Sequence, residues 1–139
     1  MGIRSILVFL ILIICTYTDI KRRQISGVCL IIFGIAGMIC FILGRELSFY
    51  EVMAGVFVGF GILSLTALTR GAIGAGDGWL LCVTGILLGG FCNIKLLSGG
   101  VFLAAVYGIF HFFRNQRNVK GEFPFVPFLL GSYLLMQVL

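Results

Sequence analysis

Hydrophobic residues along this chain fall into six long blocks separated by short polar breaks. The first runs from about Gly2 to Thr18, almost entirely Ile, Leu, Val and Phe, and ends at Asp19 with Lys21-Arg22-Arg23 behind it. The second spans about Ile25 to Leu43 and closes on Gly44-Arg45-Glu46, and the third spans about Val52 to Thr69 and closes on Arg70-Gly71. A fourth begins at or just after Asp77 and reaches about Phe91, and a fifth covers about Ile94 to Phe113. The connection from Arg114 to Glu122 then leads to a sixth, from about Pro124 to Leu139. A helix needs about 20 apolar residues to cross a hydrocarbon core of about 30 Å. The pattern therefore predicts an all-α integral membrane protein: a bundle of about six transmembrane helices forming a single domain over residues 1–139. Blocks one, four and six are short for a crossing, which predicts a thinned bilayer or helix ends sheltered by protein.

Composition agrees with that reading. Of 139 residues, 60% are hydrophobic and 11% charged, and the mean hydropathy is +1.18, leaving no material for a separate soluble domain. The first block imitates a signal peptide with Arg4 as its basic region. Asp19 to Arg23 is charged where a cleavage site is small and neutral, so a retained span is expected. The net charge of +5 lies in loops rather than on a helix face, which argues against a nucleic-acid partner and for anionic lipid headgroups. Loops one, three and five hold seven basic residues, Lys21, Arg22, Arg23, Arg70, Arg114, Arg117 and Lys120, against three elsewhere, Arg4, Arg45 and Lys95. The positive-inside rule then puts those loops in the cytoplasm and both termini outside.

Counting crossings brings two acids to one membrane face: Asp19, where the first block exits, and Asp77, where the fourth enters. An aspartate at mid-bilayer costs about 2.5–3.5 kcal/mol on insertion scales, so an acid at the margin of a span is a functional candidate. Asp77 closes Gly74-Ala75-Gly76-Asp77, whose glycines let the backbone leave helical geometry and another segment come close; an ordinary turn is the plain alternative. Glu46 and Glu51 read as outer-loop residues and Glu122 as part of a basic loop. Gly55 with Gly59, and Gly85 with Gly89, form small-x-x-x-small faces suited to close helix packing, within one chain or between chains, so the oligomeric state stays open.

Two aspartates held close at a partly apolar site cannot both ionise easily and tend to share one proton. The ionised member can take a proton from water as it attacks a peptide carbonyl, while the protonated one donates to the carbonyl oxygen. Either aspartate can begin ionised. This chemistry needs no metal and no cofactor, and no other catalytic set competes. His111 has no Ser or Cys partner in the pattern, and no H-E-x-x-H, phosphate-cradling glycine loop or C-x-x-C occurs. The five cysteines read as small buried hydrophobes, with a Cys40–Cys92 disulfide as an outer-face alternative.

Taken together, Asp19 with the basic residues after it, Gly74-Ala75-Gly76-Asp77, and Phe123-Pro124-Phe125-Val126-Pro127-Phe128 resemble the type IV prepilin peptidases, membrane aspartic proteases of the GxGD type. The resemblance covers the chain from about Asp19 to the sixth block. It implies a membrane endopeptidase that removes a short basic leader from pilin-like precursors (pilin, pseudopilin, Flp-type pilin or preflagellin) at the cytoplasmic membrane face. Carried over, Asp19 and Asp77 are the catalytic pair, Gly74 and Gly76 the motif glycines, and Pro124 and Pro127 a structural element beside the site. Larger members add a cysteine-rich segment and methylate the new amino terminus; a short stand-alone peptidase without that activity is expected here. Trp79 stands where members commonly have Lys, and Ser26-Gly27 where they commonly have Pro-Asn. Presenilin-like proteases share GxGD but carry a Pro-Ala-Leu element not found here. The reading from another class is a non-enzymatic membrane assembly or transport protein whose aspartates handle protons or bind a partner.

Overall fold

The computed structural model describes residues 2–71, 74–114 and 124–139. Among them are six helices: α1 (Ile3–Arg22), α2 (Gly27–Leu43), α3 (Phe49–Leu68), α4 (Ala75–Leu88), α5 (Gly90–Arg114) and α6 (Val126–Val138). The protein is all-α, and α1, α3 and α5 are long and apolar enough to cross a membrane by length and composition. With large apolar side chains such as Ile35, Ile42, Phe57 and Phe102 exposed on the outer faces, this is a multi-pass membrane protein.

Neighbouring helices lock together at small residues and buried polar groups. Antiparallel α3 and α4 share the most extensive interface. Along it Gly55 lies against the backbone of Gly85, Gly59 against Cys82, and Gly78 against Leu63, so that a Cβ at any of the four glycines would collide. One of the two expected glycine faces thus meets the other at Gly55–Gly85. Gly89 continues the line, a Cβ there standing 3.5 Å from Glu51 of α3, and at φ +79° it also ends α4, with α5 starting at the next residue. Inside the junction of α3, α4 and α5, the Asn93 amide donates to Gly55 O (3.1 Å) and Leu81 O (2.9 Å) and accepts from the Thr84 hydroxyl (2.8 Å). Ser132 on α6 donates to Leu96 O of α5, and the Tyr133 hydroxyl donates to Ser5 O of α1, each at 3.0 Å.

Helix α4 is the central one, in contact with α1, α2, α3 and α5 and buried from Leu80 to Gly85. Its 14 residues span about 21 Å, less than a hydrocarbon core of about 30 Å, and its neighbours shelter it.

Several boundaries differ from those read in the sequence. Helix α1 continues through Asp19 to Arg22, where Lys21 and Arg22 suit the negative end of the helix dipole. Glu51 is not a loop residue. It is the third residue of α3 and forms a capping box with Ser48, whose backbone N–H donates to Glu51 Oε2 (2.8 Å). Helix α5 begins four residues before the expected Ile94. Cys40 and Cys92 are free thiols, so the disulfide is not formed. The chain from 115 to 123, with Arg117, Lys120 and Glu122, lies outside the described residues.

Candidate active site

Helix directions decide which side chains can meet. Helix α6 runs antiparallel to α1, since Tyr133 bonds near the start of α1 and Val126 near its end. The last turn of α1 and the first turns of α4 and α6 therefore gather at one end of the bundle.

Asp19 lies in that last turn of α1, buried at 9% exposure. Its Oδ2 accepts the Val126 backbone N–H at 3.3 Å, across 107 residues of chain. Val126 is the first residue of α6, and the amides of a helix's first turn have no partner within the helix. Pro127 has no N–H to offer, and Phe128 N–H is already bonded to Phe125 O at 3.0 Å. Val126 therefore supplies a single buried donor to Asp19. This partner was invisible in the sequence, because a backbone amide has no residue type. Pro124 and Pro127 flank it.

Asp77 is the third residue of α4, half-buried, with its N–H bonded to Gly74 O at 3.2 Å. A carboxylate in the first turn suits the positive end of the helix. Gly74 is the extended residue just before the helix, and a Cβ on it would stand 3.2 Å from Asp77 Oδ2. Gly76 lets Ile25, from the α1–α2 link, approach α4, where a Cβ would stand 3.1 Å from that side chain. Gly76 thus serves a close contact, while Gly74 is the non-helical residue at which α4 starts. Trp79 points outward at 53% exposure, as an interfacial ring would.

The two aspartates stand at the same end of the bundle. Asp77 lies within the electrostatic reach of Asp19, and both act on the Cys15 thiol, one helical turn before Asp19 on the same face of α1. Cys15 and Cys29 of α2 are in hydrogen-bond contact behind the pair. His111, near the end of α5, contacts the Tyr107 ring. Among the described residues, no group of three or more His, Cys, Asp or Glu side chains is arranged to hold a metal ion.

The model of the type IV leader peptidase family matches residues 6–113. The chain belongs to that family. Among its relatives is a prepilin leader peptidase/N-methyltransferase of Bacillus subtilis (strain 168), 29% identical over 135 residues. The match takes in 90% of this chain and 51% of the relative, so the chain spans about half the length of that leader peptidase. No solved structure matches the chain.

Proposed function

We propose that this leader peptidase family member is an aspartic endopeptidase that cuts the short basic leader from pilin-like precursors at the cytoplasmic face of the membrane. The observation that carries the reading is the meeting of Asp19 and Asp77, from separate helices, at one end of an otherwise apolar bundle. One carboxylate takes a proton from the attacking water, and the other, protonated, donates to the scissile carbonyl oxygen and then to the leaving amine. The Val126 amide holds one oxygen of Asp19. The cytoplasm lies at the Asp19–Asp77 end, with both termini outside, as the basic loops indicate.

Co-expression with a prepilin carrying a basic leader tests this. Wild type yields the shortened product, and Asp19→Asn or Asp77→Asn, present in the membrane at wild-type level, yields none. Processing by either variant at the wild-type rate refutes the aspartate pair.

A further inference from the structure

On the outer side of α5 and α6 lies a groove of about 510 Å³, in the range of about 300–1,000 Å³ typical of small-molecule sites. Its walls are mostly apolar, Leu103, Val106 and Phe110 from α5 and Phe128 from α6, with Gly131 adding no side chain, and Tyr107 and His111 of α5 also line it. Arg114, the last residue of α5, also lines it and is exposed. A slot of hydrocarbon shape ending at a guanidinium has the chemistry of one lipid, an acyl chain below an acidic headgroup. Arg is suited to such a headgroup because its planar fork can donate two parallel N–H bonds to one phosphate.

We infer that the α5–α6 groove is a binding site for an anionic phospholipid, with one acyl chain along Leu103, Val106, Phe110 and Phe128 and the phosphate on Arg114. Charge complementarity selects this occupant. An apolar peptide segment would fill the slot without using Arg114, and a basic peptide would be repelled by it. The assignment does not depend on peptidase activity, so it stands or falls separately from the aspartate pair.

The test is photolabelling of the full chain in phosphatidylcholine vesicles containing a trace of phosphatidylglycerol or phosphatidylcholine with a diazirine in the acyl chain, the labelled residues being mapped by mass spectrometry. Phosphatidylglycerol should label the groove residues about five-fold more than phosphatidylcholine, since one basic residue near an anionic surface is worth about that factor. Arg114→Gln should bring the ratio to near one, and Arg114→Lys should restore part of it. Arg45→Gln, which removes a cation from the α2–α3 link, should leave it unchanged. Equal labelling by both lipids, a preference that survives Arg114→Gln, or absence of label from the groove would each overturn the assignment.

Discussion

At the scale of single residues, the candidate site depends on places where a side chain is missing as much as on those where one is present. Gly76 leaves room for Ile25, and a methyl group at 3.1 Å forces that side chain to shift. Gly76→Ala is therefore expected to lower leader cleavage several-fold, and Ile25→Ala in the same chain to recover much of the loss. A double mutant no better than Gly76→Ala in a cleavage assay would show that the contact is not what constrains Gly76. Asn93 is the contrasting case, a polar side chain with no exposure that uses both donors and its acceptor inside the bundle. Interhelical hydrogen bonds in membranes are worth about 0.6 kcal/mol on average and up to about 1.7 kcal/mol. Asn93→Ala breaks several at once and should cost about 1–2 kcal/mol, read as a lower melting temperature in detergent, while the Asp19 end of the bundle is left intact.

At the scale of elements, the six blocks and the two acids were legible because each carries a strong signal: long apolar runs for the helices, and ionisable groups where ionisation is costly for the site. Helix starts were harder to read, for physical reasons. Asn93 reads as a break between blocks, yet Thr84 and two carbonyls satisfy it, so α5 runs straight through it from Gly90. The fourth block reads as starting at or just after Asp77, yet Asp at the third helical position is a favourable start, so α4 begins at Ala75. The Asp19–Val126 bond had no signal, since the amide becomes available only through the direction of α6. The α3–α4 interface offers the most direct test at this scale. A methyl group on Gly85 lands on the backbone of Gly55, which cannot move aside as a flexible side chain would. Overpacking costs about 1–3 kcal/mol, so Gly85→Ala should lower thermal stability more than Gly34→Ala, where a Cβ meets only Val83 Cγ2 at an ordinary 3.8 Å. Equal melting temperatures would mean that α3 and α4 can separate freely.

For the whole molecule, the two ends of the bundle are chemically different, and the difference bears on orientation. One end holds Asp19, Asp77, Arg22 at the end of α1 and Arg23 in the α1–α2 link. At the other, Arg4 Nη2 donates to Cys40 O and Gly44 O, both at 3.0 Å, at the carboxyl end of α2, and its Nε lies 3.6 Å from the Glu46 carboxylate. Glu46 is 76% exposed, so the ion pair adds little; the carbonyl contacts are what occupy Arg4. A basic residue engaged in packing is a weaker topology signal than a free one, which leaves the cytoplasmic assignment resting on the basic residues at the aspartate end. Cysteine accessibility can check it without disturbing that charge. Gln24→Cys at the aspartate end and Arg45→Cys at the opposite end both replace exposed residues. In intact cells a membrane-impermeant maleimide should label Arg45→Cys above the unsubstituted chain and Gln24→Cys only after the membrane is opened. The reverse pattern would put the aspartates outside, where a peptidase acting on leaders that remain in the cytoplasm has no access to its substrate.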